Sequence, residues 1–464
     1  MTERMETDSM GDIEVPAEAL YGAQTQRAIN NFNFSGRRLP TKFICHLAMI
    51  KAACVRANAS LGVMPAATAD GIFAAAMAVA AGQHSDQFPV DVFQTGSGTS
   101  TNMNMNEVIA RLVQDSAVGK NGLRVHPNDD VNRSQSSNDV IPTCLQVSAS
   151  LAIERELMPA LQVLIEVFDS RAPEFATIIK TGRTHLMDAM PLSLQQELAT
   201  WQFQLLECQQ RFAQMLVRLK ALPLGGTAVG TGVNSPAGFS RAAISALNQL
   251  EDSDFTPVAV RGSRMAAQDT SLECSATLKA LAVVMLKMTT DLRWMASGPL
   301  AGLAEIQLKA LQPGSSIMPG KVNPVVPEAV AMIAAEVLGN DTTITVAAQS
   351  GNFQLNVMLP LIADKLLGSI TLLTSACGGL QATLRDMTIN RDGITSVLYQ
   401  NPMLVTGLNE VIGYAAAAEI AKQAGKQNRS VLDVALELTD LSRDELERYL
   451  DPLMLADPHD EGLS

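Results

Sequence analysis

The sequence predicts a mainly α-helical protein, and three observations carry that expectation. Hydrophobic residues make up 47% of the 464 positions while aromatic residues make up only 4%, so Ala, Leu, Val, Ile and Met supply the apolar content. Val and Ile apart, these residues favour helix over strand. Leu157, Leu161, Leu164, Ile165 and Phe168 recur at i, i+4, i+7, i+8 and i+11, one stripe of a 3.6-residue period. The apolar runs are also long and are separated by glycine-rich connections such as residues 224–232. Together these features predict a bundle of long helices.

The elements follow in order along the chain. Up to about residue 135, short helical runs mix with turn-rich stretches at 94–101 and 125–132. From Pro142 onward the pattern predicts sustained helix. The run over 194–222 carries Leu205, Phe212, Met215, Leu216 and Leu219. Further helices are expected over 271–296, 327–338 and 356–375, with Pro360 kinking or beginning the last of them. Beyond about residue 390 the helices shorten and gain charge, and Ser442-Arg443-Asp444-Glu445 reads as a capping box. No internal repeat, low-complexity tract or long linker interrupts the chain. Three regions are therefore expected: a mixed, mostly helical head (1–137), a long-helix middle (138–392) and a small helical tail (393–464).

Charge and cysteine usage narrow the class of partner. The net charge of −13 argues against a nucleic-acid partner, yet it permits a small anionic substrate if the site supplies its own positive groups. A charged fraction of only 17%, combined with long apolar helical faces, points to burial between subunits. The six cysteines show no C-x-x-C spacing and sit in apolar runs, which predicts buried free thiols in a reducing cytosol. The polar, acidic N-terminus has no apolar signal core behind it. Residues 366–384 carry no charge, but hydroxyls, glycines and Gln381 interrupt them. A helix buried among protein helices is expected there, not a membrane span. A cytoplasmic protein is the resulting expectation.

Four polar clusters stand out against this background. Residues 314–324 (GSSIMPGKVNP) place four Gly or Pro residues, two hydroxyls, a lysine and an asparagine in eleven positions. The Gly and Pro content makes this a loop. Its free N–H donors, ammonium and hydroxyls suit a reaction that builds negative charge beside a carboxylate. A second cluster, residues 95–100 (TGSGTS) followed by Asn102, Asn104, Asn106 and Glu107, precedes a helix and suits either anion binding or an ordinary N-cap. Residues 126–139 form a third cluster, of neutral hydrogen-bonding side chains flanked by apolar segments, that suits a carboxylate. His126 there has no second nearby histidine to complete a metal set. The fourth cluster, residues 182–185 (GRTH), lodges one of only five histidines in a tight polar turn; proton transfer and a purely structural role both remain open. Glu328, on the helix after the 314–324 loop, is a carboxylate able to orient and charge an imidazole. Nucleophile-elbow, P-loop, Rossmann and zinc spacings are absent.

Taken together, residues 314–324, 95–107, 126–139 and 182–185 resemble the fumarase/aspartase superfamily, and the likeness extends from residues 8–11 and 21–27 to residues 401–406. The Gly-Ser-Ser-x-Met-Pro-x-Lys-x-Asn wording is specific to that superfamily but shared by its hydratase and ammonia-lyase branches. Within it, His185 is similar to the class II fumarases, because aspartate ammonia-lyases carry Gln there. Val325-Val326-Pro327 resembles aspartases more, and Tyr21 stands where many fumarases have Trp.

The resemblance implies a three-domain α-rich fold whose central helices merge in a homotetramer, with sites shared by three subunits. It implies reversible hydration of fumarate to (S)-malate, with aspartate ammonia-lyase as the alternative and a non-enzymatic helical scaffold as the third reading. It further implies Ser315 as the base, with His185, charged or oriented through Glu328, serving the water. A dicarboxylate cage would comprise Ser97, Gly98, Thr99, Ser136, Ser137, Asn138, Thr184, Ser316, Lys321, Val322 and Asn323. His126, Pro127, Asn128 and Asp129 match a second anion site. No metal or organic cofactor is implied, because no hydride or electron moves.

Overall fold

A computed structural model describes residues 2–457. The chain is mainly α-helical, and among the described residues its β-structure is confined to hairpins, two-residue pairings and an isolated Arg38–Asp91 bridge. It forms two compact units: one holds residues up to Pro159 with Cys208–Ala282 and Ala334–Thr374, the other Ala160–Glu207, Val283–Ile333 and the residues from Ser375 onward. The boundaries fall within long helices, chiefly Leu194–Leu219, Asp269–Met295, Val325–Ala348 and Leu359–Asp386. At 1.5 Å per residue each of these spans roughly 36–42 Å.

In the first unit the chain opens with an antiparallel hairpin, Glu3–Asp8 with Gly11–Pro16, closed where Asp8 Oδ1 accepts the Met10 N–H. The helix Thr41–Ser60 is buried along much of its length and packs against Ala66–Ala80, Ser137–Ala152 and Phe239–Glu251. Its alanines permit this close approach. Glu107 fixes the helix Ala23–Asn31: its carboxylate accepts the N–H groups of Gly22, Gln24 and Thr25 and the Thr25 hydroxyl. A side chain at Gly22 would crowd that carboxylate at 3.2 Å.

The second unit contains a feature the helical period does not reveal. Residues 179–193 form a β-hairpin, Ile179–Thr184 with Met187–Ser193. Its tail is a small helical cluster centred on Leu404, Leu408, Ile420, Val434, Ala435 and Leu446. There the expected capping box is present, Ser442 and Glu445 bonding each other's backbone at the start of Arg443–Tyr449.

The apolar stripe at Leu157, Leu161, Leu164, Ile165 and Phe168 is buried, as are Leu205, Phe212, Met215, Leu216 and Leu219. Pro360 lies in the first turn of Leu359–Asp386 and so begins that helix. Three expected spans need correction. Sustained helix starts at Ser137, and Pro142 is accommodated inside the Ser137–Ala152 helix. The helix expected over 327–338 runs from Val325 to Ala348, and the one expected over 356–375 runs from Leu359 to Asp386. This last helix is long and apolar enough to cross a membrane. Ile362, Leu366, Ile370, Leu373, Cys377, Leu380 and Leu384 nonetheless form one buried stripe along it. All six cysteines are free and five are buried, with burial pushing the Cys54 and Cys377 thiols up to about 12.

Candidate active site

The first unit gathers hydroxyls where two helices begin. Gly98, at φ +73, turns the chain into the helix Thr99–Asp115, and a Cβ there would press on Ile141 at 2.9 Å. Gly96 is held more tightly, since a Cβ would lie 1.7 Å from the Val357 carbonyl oxygen. Its own carbonyl accepts the Leu359 N–H at 3.0 Å. The loop so fixed presents Ser97 Oγ 2.8 Å from Thr99 Oγ1, which lies 2.7 Å from Ser137 Oγ. Thr99 and Ser137 are the first residues of their helices, so the chain of hydroxyls sits at two positive dipole ends.

Ser136 and Asp139 form a capping box that fixes the second of these helix starts. Asp139 is fully buried, and its Oδ2 also accepts the N–H groups of Gly225 and Thr227 at 2.8 and 3.0 Å. Asn138 donates to the Ala228 carbonyl at 2.9 Å, so the glycine-rich 225–232 loop is pinned to the same helix start. Burial outweighs these donors and raises the Asp139 carboxyl from 3.8 to about 6. Between those two values the folded chain holds a proton that the unfolded chain has released. The stabilisation from this group is therefore present below pH 3.8 and is lost as pH rises through 6. Asp139→Asn is expected to remove this component from a plot of unfolding free energy against pH between 4 and 7; an unchanged slope would show that Asp139 titrates normally.

His126 lies at the edge of the first unit, ahead of a single π-turn formed by Pro127–Val131. Its Nδ1 accepts the N–H groups of Asn128 and Asp129 at 3.3 and 3.2 Å, and the Asp129 carboxylate is 3.3 Å away. A cleft of about 760 Å³ opens beside it, lined by Arg4, Tyr21, Arg111, Arg124, His126 and Asn128 among others.

In the second unit, Thr184 and His185 occupy the tip of the 179–193 hairpin. His185 and Leu186 are the two residues between paired Thr184 and Met187, and both have positive φ, +56 and +63. A two-residue turn with both central residues left-handed normally takes Asn and Gly. Two bulky residues there store strain at an exposed imidazole, a pattern associated with functional sites. Gly182 supplies the irregularity beneath the tip, because a Cβ would meet the Met190 carbonyl oxygen at 2.6 Å. A buried charge network underlies the hairpin: Lys180 Nζ lies 2.6 Å from Glu197 and 2.7 Å from Glu305, and Arg183 lies 2.8 Å from Glu305.

The 314–324 loop closes on itself. Gly314 donates its N–H to the Lys321 carbonyl at 3.0 Å, and the Asn323 amide donates to the Gly314 carbonyl at 2.6 Å. A Cβ at Gly314 would lie 2.3 Å from that lysine carbonyl, and Gly320 takes φ +81. Inside this neck, Ser315 Oγ accepts the N–H groups of Ile317 and Met318, each at 3.2 Å. Ser316 and Val322 are exposed on the loop. Glu328 lies in the first turn of Val325–Ala348 and, with Lys321, Val322, Asn323, Trp294 and Asn390, lines a cavity of about 960 Å³. Among the described residues no hydrogen bond or ion pair joins His185 to Ser315 or Glu328 within one chain.

The sequence reading missed Lys51, Lys180 and Glu305, which are buried yet charged. Their signal was a charge inside an apolar run, most visible for Lys51 between Ile50 and Ala52.

The long-helix fold, with hydroxyls at helix starts and a glycine-necked serine loop, belongs to a lyase family. The description of the family model matching residues 11–339 is Lyase, and residues 404–457 match the model of the fumarase C C-terminus. The chain belongs to the class II fumarate hydratase family. It is 52% identical to a class II fumarate hydratase from Xylella fastidiosa, covering 98% of this chain and 95% of that one. It is 51% identical to fumarate hydratase class II 2 from Pseudomonas aeruginosa, covering 98% of each. Among solved structures, it matches class II fumarase from Schistosoma mansoni with a TM-score of 0.95 and 37% identity, over 99% of this chain and 100% of the other. A fumarate lyase:delta crystallin from Brucella melitensis matches with a TM-score of 0.89 and 39% identity, over 97% and 100%.

Proposed function

We propose that this chain catalyses the reversible, stereospecific hydration of fumarate to (S)-malate, a step of the tricarboxylic acid cycle. The observation that carries the mechanism is the pair of backbone N–H groups on Ser315 Oγ. Hydrogen bonds donated to an oxygen favour its anionic form, which a serine needs before it can remove a carbon-bound proton.

In the dehydration direction, the Ser315 alkoxide takes the proton from the carbon next to one malate carboxylate. The C–H electron pair moves into that carboxylate, giving an aci-carboxylate with two negative charges. Lys321 and Asn323 supply charge and donors to it, and Ser316 helps hold the substrate carboxylate. The pair then returns to form the double bond as hydroxide leaves the neighbouring carbon, and His185 delivers the proton that makes it water. Ser97, Gly98, Thr99, Ser136, Ser137, Asn138, Thr184 and Val322 complete the dicarboxylate cage, and Glu328 orients the imidazole. Preorganised donors in such a site contribute on the order of 3–4 kcal/mol each. No hydride or electron moves, so the scheme calls on no cofactor.

Among the described residues no hydrogen bond or ion pair joins His185 to Glu328 within one chain, and Leu186, Met187, Ile317 and Met318 are exposed. Both facts support a homotetramer whose sites draw on three chains. The C-terminal family match beginning at residue 404 supports a separate tail domain near the expected 393 boundary within the three-region organisation. His126 to Asp129 would form a second anion site, and the enzyme would act in the cytoplasm.

Val325-Val326-Pro327 resembles the aspartate ammonia-lyase wording, but full-length relatives at 51–52% identity are class II fumarate hydratases and support hydration over that alternative. Purified protein given malate is expected to develop the ultraviolet absorbance of fumarate, and given aspartate to release no ammonia. Ammonia from aspartate with no action on malate would overturn the assignment.

A further inference from the structure

Lys51 is sealed in the first unit, 1% exposed, and among the described residues its ammonium has no carboxylate within hydrogen-bonding distance. It donates instead to two neutral oxygens, Asn132 Oδ1 at 3.1 Å and Gln135 Oε1 at 2.9 Å. Asn132 Oδ1 is a junction, because the Asn102 and Asn106 amides donate to the same atom at 3.1 and 3.3 Å. Those two asparagines lie on the helix that begins at Thr99, while Asn132 and Gln135 lead directly into the helix that begins at Ser137. One buried ammonium thus ties together the two helix starts whose hydroxyls, Thr99 and Ser137, touch.

Holding an unpaired charge in the interior costs free energy that an apolar side chain would not, so its retention calls for a purpose. Four hydrogen bonds from three donor groups, converging on one amide oxygen and its neighbour, fix the register of both helices. A positive charge behind two helix N-termini, only partly offset by the Asp139 carboxylate, also adds to the field that attracts an anion in front of them. We propose that Lys51 is a positioning residue for dicarboxylate binding: its ammonium, through Asn132 and Gln135, sets the Thr99–Ser137 hydroxyl pair and biases that cradle toward dianions. This inference rests on the fumarate–malate reading of the site.

The titratable groups facing Lys51 are Cys54 on its own helix and Asp139 and Cys144 on the Ser137–Ala152 helix. Burial holds both thiols neutral, leaving the Asp139 carboxylate, already bonded to Ser136, Gly225 and Thr227, as the only anion among them at neutral pH. Burial lowers the Lys51 ammonium to about 8, so its charge is lost at mildly alkaline pH.

The test measures the inhibition constant of succinate, a dicarboxylate that does not react, together with malate kcat, in the intact oligomer. In the unaltered protein the succinate constant is expected to weaken about tenfold between pH 7.5 and 9, following loss of one proton. Lys51→Met should weaken succinate about tenfold at pH 7 with kcat within about threefold, and should flatten the alkaline dependence. Asn132→Asp keeps the acceptor but gives the ammonium a charged partner, so it should move the alkaline limb up by about one pH unit. That variant decides the matter if Lys51→Met does not fold. Succinate binding that is flat to pH 9, a limb unmoved by Asn132→Asp, or a Lys51→Met protein that only melts lower would each overturn the proposal. Malate turnover by the unaltered protein tests the underlying reading separately.

Discussion

Ser315→Ala is expected to lower malate dehydration by roughly 10³-fold, within the range typical for loss of a positioned general base. The substitution removes one oxygen and leaves the loop neck intact, because Gly314, Lys321 and Asn323 bond to one another through groups that do not include the serine hydroxyl. The Ile317 and Met318 N–H groups, which the hydroxyl accepts, lie on an exposed loop where water can replace it. Melting temperature and oligomer size should therefore stay within error while kcat falls. Ser316→Ala, removing the neighbouring hydroxyl, should raise KM more than it lowers kcat. If Ser315→Ala keeps a tenth or more of the activity, another group takes the proton.

The largest effect on stability is expected at Lys180. Its ammonium is 1% exposed and joins Glu197 to Glu305, itself 5% exposed, while Arg183 shares Glu305. Lys180→Met preserves the length of the side chain but removes this partner from Glu197 and partly strands the buried Glu305, which keeps Arg183. Breaking a buried pair from one side costs about 3–5 kcal/mol. Urea unfolding should show a loss of that order. The double change Lys180→Met with Glu305→Gln should cost less than the sum of the two single changes, since the stranded buried charge is gone. Strict additivity would mean that the network is not coupled. Because the hairpin carrying Thr184 and His185 stands on this network, activity should fall with stability in the single variant.

Much of this architecture is legible in the sequence, and its failures have local causes. Helical period, the capping box at Ser442 and the helix-opening Pro360 act through neighbouring residues and read directly. The helix beginning at Val325 continues past 338 because tertiary partners satisfy the polar residues that look like a terminator. Asn340 donates to Ser369, and Asp341 accepts from Ser275 and Lys279. The helix beginning at Leu359 likewise continues past 375 through Gly378 and Gly379, and Gly379 faces Val326, where a Cβ would lie 3.1 Å away. The hairpin at 179–193 was invisible as strand because it is stabilised by buried charge, not by alternating apolar residues. The candidate chemistry was legible as residue types in glycine-punctuated clusters. Which hydroxyls touch, and that Ser315 is held by two N–H groups, required coordinates.

Gly96 carries a lesson for anyone redesigning this enzyme. Two stretches of main chain meet there with no room for a side chain, since a Cβ would lie 1.7 Å from the Val357 carbonyl oxygen. Neither stretch can wander in an engineered library without the other, since no choice of side chain absorbs a shift of the opposing peptide. Grafting a relative's 95–101 segment while leaving 357–359 behind would transplant half of a matched pair, and the two are best exchanged together.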